Sequence, residues 1–317
     1  MKRVFRFATC VLILMTAFNV PSYGWNKLGH MAVAFIAYRN LTPAVREKVN
    51  KLVKMNPEYD VWIKELPANT SDEDKDMMAF MIAATWPDRL RSRKLHPEIT
   101  DDGSEPTNPN AGQNIGYADH LLHRYWHFKD VPFSLDGTTE DPPEINAVSR
   151  IAIFRKVLAS NEPDELKSYD LMWLAHLVGD LHQPLHCTSR FSKRQKNGDR
   201  GGNSVKICIS ATSCNGNLHA FWDDALGTSD KTTTAVKVGQ KLPKPRAQAA
   251  ANLDVDSWVE ASFNSAKSVA YRNPPIKTGA GKSTITQKYR DAVGSLSEKR
   301  MALAGARLAN ILNNELK

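Results

Sequence analysis

Residues 169–186 read YDLMWLAHLVGDLHQPLH, and this segment gives the strongest indication of the fold. Apolar side chains surround nearly every turn from residue 169 to 182, which predicts a buried central helix that ends at Pro184. His176 and Asp180 are four residues apart, so both side chains leave one face of this helix, one turn apart. An imidazole and a carboxylate in this arrangement can hold one zinc ion, and His186 beyond the proline can bind a neighbouring ion.

Polar groups in so apolar a helix need partners, because burying an unpaired imidazole or carboxylate costs several kcal/mol. An ordinary buried His–Asp hydrogen bond would satisfy some of them, whereas metal ligation would satisfy all of them together. The same four-residue spacing returns at His219 and Asp223. Two such pairs, with an extra histidine after the first, favour metal ligation over an isolated hydrogen bond.

Helical patterns recur along the rest of the chain. Turn-forming residues mark loops at 97–114 and 191–202, and residues 204–214 predict one small hairpin. No linker or repeat interrupts the helical pattern. We therefore predict a mainly α fold with at most a small β-hairpin, built as a single domain over residues 25–317, with helices at 30–39, 43–54, 72–86 (ended by Pro87), 117–123, 145–159, 169–182, 257–271 and 284–316.

The amino-terminal segment has the pattern of a secretory signal peptide. Basic residues precede an apolar run at 7–20, which is shorter than the roughly 20 residues that span a bilayer, and small residues follow at Ser22 and Gly24. Cleavage after Gly24 would make Trp25 the first mature residue and would send the protein to a secreted or periplasmic location, without a stable membrane anchor. An uncleaved anchor is the alternative.

Removal of residues 1–24 would take away three basic residues and no acids, which lowers the formal net charge from +8 to +5. This mild excess is compatible with a polyanionic substrate without requiring one. In an oxidising compartment Cys208 and Cys214 are close enough in sequence to form a local disulfide, which leaves Cys187 unpaired and buried.

Further candidate ligands lie upstream of the central helix. Asp88 is followed by Arg91, and His127 lies in an aromatic segment, although each alone is typical of a helix end or of the edge of a core. A free α-amine and the carbonyl of the same residue can chelate a metal, and the amine loses its proton with a pKa of about 8. Trp25 would offer both groups in the mature chain, with His30 as a third donor; a frayed terminus is the alternative.

In their order along the chain, these motifs resemble the zinc-dependent, single-strand-specific nucleases of the S1/P1 type, a family related to zinc phospholipase C. The resemblance covers essentially the whole mature chain, and it rests on Trp25…His30, Trp-Pro-Asp88…Arg91, Trp-His127-Phe-Lys-Asp130, His176-x-x-x-Asp180-x-His-Gln-Pro-x-His186, Gly201-Gly202-Asn203 and His219-x-x-x-Asp223. It implies a mainly helical fold and a cluster of three zinc ions.

The resemblance also implies a role for each of these residues. One zinc would be held by Asp88, His127, His176 and Asp180, the second by His186, His219 and Asp223, and the third by Trp25 and His30 with Asp180 as a bridge. The catalytic residues would be Asp88, which orients water, and Arg91, which faces the phosphate. The residues that bind the substrate base would be Phe128, Asp130 and Asn203.

The implied activity is hydrolysis of single-stranded DNA, RNA and 3′-nucleotides. Zinc lowers the pKa of bound water toward about 7, and this activated water would leave 5′-phosphate products. Two other functions remain open from the residues: a zinc phospholipase C and a non-catalytic zinc-binding protein. The aspartate at position 223 and the aromatic pocket at Phe128 favour a nuclease over a phospholipase, and donors spread over three ions favour catalysis over storage.

Overall fold

The computed structural model describes residues 24–134, 136–278 and 281–317. Apart from Gly24, the predicted signal peptide lies outside the described residues. The mainly α fold is confirmed. The helices are α1 Lys27–Arg39, α2 Pro43–Lys54, α3 Tyr59–Lys64, α4 Asp72–Ala83, α5 Trp86–Arg89, α6 Ala147–Leu158, α7 Asp164–Asp180, α8 Leu218–Asp223, α9 Thr232–Lys241, α10 Ala247–Ala251, α11 Val255–Ser265 and α12 Gln287–Glu315.

Helix α7 lies at the centre because its side chains are apolar on almost every face. Every residue from 168 to 180 is buried. It packs against α2, α5, α6 and α12, while α1 lies between α12, α9 and α4. Because α7 carries His176 and Asp180, the helix that forms the core also carries donors of the candidate site.

The strands are short and join loops near the site. Strand β1, Pro132–Ser134, pairs in parallel with β2, Ser189–Phe191. Strand β3, Lys206–Cys208, pairs antiparallel with β4, Gly216–Asn217, and in parallel with β5, Ser283–Thr284. The β3–β4 pair is the predicted hairpin, and β5 adds a third strand that the pattern did not indicate.

Several predicted boundaries are wrong for local reasons. Pro87 does not end the helix predicted at 72–86. Helix α4 already ends at Ala83, and Pro87 lies in the first turn of α5, where a missing backbone N–H is tolerated. The helix predicted at 117–123 is absent apart from a 3-10 turn at Gly116–Ala118. His123 has a φ of 48°, which an α-helix cannot contain.

The cysteines follow the prediction. Cys208 and Cys214 form a disulfide. Cys187 is buried and unpaired among the described cysteines, and it donates a hydrogen bond to the carbonyl of Leu181. Its position under the end of α7 is structural, since burial raises the pKa of its thiol to about 12.

Candidate metal centre

The candidate site is built around Asp180 on α7. Its side chain is fully buried, and Oδ2 lies 3.3 Å from Nε2 of His176 and 3.1 Å from Nδ1 of His127. Its other oxygen, Oδ1, lies 3.3 Å from Nε2 of His30 and 3.9 Å from Nδ1 of His186. One carboxylate therefore contacts four of the histidines that the sequence singled out.

The first group of donors joins α5 and α7 to the 3-10 turn at Arg124–His127. His127, His176 and Asp88 place one donor atom each within 4.8 Å of one another. Nε2 of His176 is 3.0 Å from Nδ1 of His127 and 3.9 Å from Oδ1 of Asp88. The imidazole of His176 is oriented by the Ala84 carbonyl, 2.8 Å from its Nδ1. This carbonyl lies between α4 and α5, so the short break between those helices has a direct role in the site.

The second group lies on the other side of Asp180, where α1 begins. His30, His176 and Asp180 again offer donors within 4.8 Å. Trp25 is fully buried against Gly29 at the start of α1. A Cβ added to Gly24 would lie 1.6 Å from Asp180 Oδ1 and 3.1 Å from His30 Nε2. The peptide that precedes Trp25 therefore touches the two donors with which the predicted α-amine would share a metal.

The third group combines His186, which follows α7, with His219 and Asp223 on α8. Nε2 of His219 lies 3.1 Å from Nε2 of His186 and 3.6 Å from Oδ2 of Asp223. Gln183 donates from Nε2 to Oδ1 of Asp223 across 2.7 Å. The amide of Gln183 thus orients the carboxylate while leaving its other oxygen toward the histidines.

The hydrogen bonds of the imidazoles fit a metal. Nδ1 of His186 lies 2.7 Å from the carbonyl oxygen of His127, and Nδ1 of His219 lies 2.7 Å from that of Gly201. Each Nδ1 must donate to its carbonyl, so in the neutral rings both Nε2 atoms present lone pairs to each other at 3.1 Å. Two facing lone pairs repel unless a cation or a proton lies between them. His30 adds a buried Nδ1 without a hydrogen-bond partner, and its Nε2 faces Oδ1 of Asp180 at 3.3 Å, so the donor set suits metal ions.

Electrostatics within the site keep the carboxylate of Asp180 charged and the imidazoles of His127 and His30 neutral. Burial opposes the charged form of Asp180, but the facing imidazoles of His176 and His186 hold its pKa well below the ordinary value. Burial lowers the pKa of His127 to about 4, and burial with the neighbouring His176 lowers that of His30. Burial also opposes the charged form of His176, but the carboxylates of Asp180 and Asp88 raise its pKa. A metal ion bound beside Asp180 would replace the proton of that imidazole, since a ligating histidine must be neutral.

An open cleft of about 940 Å³ runs past His127, His186 and His219. Phe128, Asp130 and Asn203, the residues expected to bind the substrate base, line it, and Arg91 lies at the same cleft. Nη2 of Arg91 is 3.5 Å from Oδ1 of Asp88. The N–H of Lys129 donates to the carbonyl of His186 across 2.9 Å, which places the pocket beside the third group.

Asp130 differs electrostatically from an ordinary surface acid. Burial raises its pKa well above the usual value, and the nearby Asp199 raises it further. A carboxyl that keeps its proton can donate a hydrogen bond as well as accept one. Beside the aromatic ring of Phe128, it can recognise the edge of a flat heterocycle.

The structure thus brings together His30, Asp88, His127, His176, Asp180, His186, His219 and Asp223, with Trp25 beside them. Sequence reasoning assigned no role to Gln183 or to Asp199, which is fully buried beneath the loop that carries Asn203. The signal for Asp199 was an acid inside the glycine-rich run 198–202, where a buried carboxylate can bind exposed backbone N–H groups. His123, also unassigned, is buried between Asp119 and Tyr125.

Among the described residues, none of the helices combines the length and the apolar character needed to cross a lipid bilayer.

The fold and the site define a mainly helical protein with three adjoining groups of buried histidine and aspartate donors beside an open cleft. Comparison with known proteins agrees with this class. The chain belongs to the S1/P1 Nuclease family, whose sequence profile matches residues 25–317.

Individual members of this family have low sequence identity to the chain. Endonuclease 1 of Arabidopsis thaliana is 26% identical over 96% of this chain and 90% of its own length. Endonuclease 3 of the same plant is 32% identical over 45% of this chain and 50% of its own length. Nuclease S1 of Aspergillus oryzae is 23% identical over 64% of this chain and 54% of its own length. The matches thus span about half the length of Endonuclease 3 and of Nuclease S1, and nearly all of Endonuclease 1.

Proposed function

We propose that the chain is a secreted or periplasmic, zinc-dependent endonuclease. It hydrolyses phosphodiester bonds of single-stranded DNA and RNA to 5′-phosphate products, and it also acts on 3′-nucleotides. The observation that carries the proposal is the convergence of eight buried imidazole and carboxylate side chains, with Asp180 at their centre, at the wall of a cleft that also holds Phe128 and Asp130. We further propose that residues 25–317 act as one domain after removal of residues 1–24.

The donors fall into three zinc sites. Asp88, His127, His176 and Asp180 would hold one ion, and His186, His219 and Asp223 would hold another. The amine and carbonyl of Trp25 would hold the third together with His30 and Asp180. Zinc in these sites supplies a Lewis acid for the phosphate and lowers the pKa of bound water toward about 7.

The chain itself supplies orientation and charge. Asp88 lies beside His176 and can accept a hydrogen bond from the attacking water. Its neighbour Arg91 presents a planar cation to the phosphoryl oxygens, where negative charge grows in the transition state. Both side chains are largely buried, which strengthens these interactions by excluding water.

The pocket of Phe128, Asp130 and Asn203 explains a preference for single strands. A base can stack on the ring of Phe128 and bond through its edge to Asp130 only when it has left the helical stack. In a duplex this requires unpairing and unstacking, which costs a few kcal/mol. The names of the relatives, Endonuclease 1 and Nuclease S1, support the same class of reaction.

The test is a substrate panel given to purified protein that begins at Trp25 and is loaded with zinc. We expect cleavage of single-stranded DNA and RNA, slower cleavage of duplex DNA, and release of phosphate from 3′-nucleotides. His176→Ala should abolish all of these activities, while His120→Ala, which changes an exposed histidine outside the cleft, should leave them unchanged. Release of phosphocholine from phosphatidylcholine without release of nucleotides would overturn the proposal, and so would bound zinc without any phosphodiesterase activity.

A further inference from the structure

The loop between β2 and β3 contains a turn with an unusual backbone. Arg200, Gly201 and Gly202 follow one another with φ angles of 54°, 58° and 84°. At Gly201 the glycine is required, because a Cβ there would lie 2.1 Å from the carbonyl oxygen of Leu185. Arg200 has no such freedom, and a left-handed conformation costs a non-glycine residue about 1–2 kcal/mol.

Asp199 holds this turn from below. Its Oδ1 accepts the backbone N–H of Arg190 at 3.0 Å, that of Gly202 at 3.1 Å and the hydroxyl of Tyr271 at 2.8 Å. The side chain of Asp199 is fully buried. A buried carboxylate with three donors fixes the backbone on either side of residue 200, which is what a strained conformation needs in order to persist.

The peptide groups of Arg200 are tied down as well. Its N–H donates to Oγ of Ser189 at 3.2 Å, and its carbonyl accepts from Nδ2 of Asn203 at 2.8 Å. The side chain is therefore aimed by a rigid backbone rather than by its own contacts. No salt bridge or hydrogen bond joins its guanidinium to any residue that the structure describes.

The guanidinium is exposed and lines the cleft with Phe128, Asp130 and Asn203. Its charge is felt at Asp130, whose pKa it lowers against the larger upward effects of burial and Asp199. From residue 185 to 206 the cleft lining includes the cations Arg200 and Lys206 and no acid. The acids of the lining lie elsewhere, at Asp101, Glu105, Asp130, Glu140 and Asp141.

We propose that Arg200 forms a binding site for a phosphate of the substrate strand other than the one that is hydrolysed, next to the base pocket of Phe128. A strained, exposed and unpaired arginine costs stability, and such a cost is characteristic of a functional position. The inference rests on the proposed nuclease function and adds to it a second contact with the phosphodiester chain. Arg200 would bind the strand and take no part in the chemical step.

The experiment compares two arginines of the same exposed region. Arg200→Ala removes the proposed contact, and Arg194→Ala removes an exposed arginine that does not line the cleft. With zinc-loaded enzyme, KM for a single-stranded oligonucleotide should rise roughly 3- to 10-fold in Arg200→Ala. The slope of log KM against log salt should fall by about 0.7, the value for one phosphate contact on a single strand. Arg194→Ala should change neither quantity.

Two further measurements separate a binding site from a structural role. A 3′-mononucleotide has only the phosphate that is hydrolysed, so its kcat/KM should stay within about twofold in both variants. Arg200→Gly should lose oligonucleotide binding to the same extent as Arg200→Ala. It should nevertheless unfold at a higher temperature than Arg200→Ala, because glycine adopts positive φ without strain.

The possible failures are distinguishable. If the wild-type enzyme cleaves oligonucleotides and the two alanine variants share its KM and salt slope, the Arg200 site is wrong and the nuclease function stands. Equal losses on the mononucleotide and the oligonucleotide would likewise reject the site. If the wild-type enzyme cleaves no strand at all, the proposed function and this site both fall.

Discussion

Retention of a single glycine before Trp25 is a sharp test of the amino-terminal metal ligand. In a chain that begins at Trp25, the nitrogen of that residue is an amine with a pKa near 8, and its lone pair becomes available on deprotonation. In a chain that retains Gly24 the same nitrogen is a peptide amide and has no lone pair to donate. Residue 24 also lies against the neighbouring donors, since its Cβ would be 1.6 Å from Oδ1 of Asp180 and 3.1 Å from Nε2 of His30.

The expected effect follows from this geometry. The chain that retains Gly24 should bind one zinc ion fewer than the chain that begins at Trp25. Gly24→Ala in the longer chain should not restore the missing zinc ion. Loss of one electrostatic contact to the reacting phosphate costs about 10²–10³ in kcat, so we expect a decrease of that size on single-stranded DNA. The number of zinc ions per chain is measured by inductively coupled plasma mass spectrometry, and kcat is measured on the same samples.

Two controls separate loss of the amine from steric effects. Acetylation of the Trp25 chain removes the lone pair without adding residue 24 and should have the same effect on zinc content. A glycine added after Lys317 extends the chain by the same residue far from the start of α1 and should have no effect. Equal zinc content and equal kcat in the chains with and without Gly24 would show that the amine of Trp25 is not a zinc ligand.

The remaining predictions concern three side chains. Arg91→Ala should lower kcat by about 10²–10³ while zinc content is unchanged, and loss of zinc in this variant would contradict the assigned role. Gln183→Ala removes the 2.7 Å hydrogen bond to Asp223 and should weaken binding of one zinc by about 10- to 100-fold in a chelator titration; unchanged affinity would count against it. Burial raises the pKa of Asp170 to about 7 from its ordinary 3.8. The folded state therefore keeps a proton that the unfolded state loses, and stability falls as pH rises through this window. In urea denaturation of the metal-free protein, the free energy of unfolding of Asp170→Asn relative to the wild type should increase by about 1.4 kcal/mol per pH unit between about pH 4 and 7 and stay constant above about pH 7. A difference that does not change across this pH range would contradict this.

The central helix was predictable because its pattern is both local and strong. The apolar residues around His176 and Asp180 predict burial, and the four-residue spacing places both side chains on one face. The same reasoning found the third donor group, since His219 and Asp223 occupy one short helix, α8. These features depend only on helical periodicity, which a single sequence reveals.

The segment from residue 116 to 127 was not predictable, because long-range contacts determine it. The backbone N–H of His123 donates to Oδ1 of Asp102 across 2.9 Å, and the hydroxyl of Tyr125 donates to Oδ2 of the same carboxylate. An acid that lies far away in the sequence therefore holds His123 outside the helical region. Likewise, the conformation of Arg200 depends on the buried carboxylate of Asp199, which accepts a hydrogen bond from the distant Tyr271. Hydrogen bonds of this kind join residues that no local pattern links.

The three proposed zinc sites can be observed by anomalous diffraction at the zinc edge from crystals of the chain that begins at Trp25. We predict three peaks around Asp180: one among Asp88, His127 and His176, one among His186, His219 and Asp223, and one between His30 and the amino group of Trp25. An amino terminus directed away from His30, or an absence of zinc peaks among these residues in zinc-loaded and active protein, would contradict this prediction.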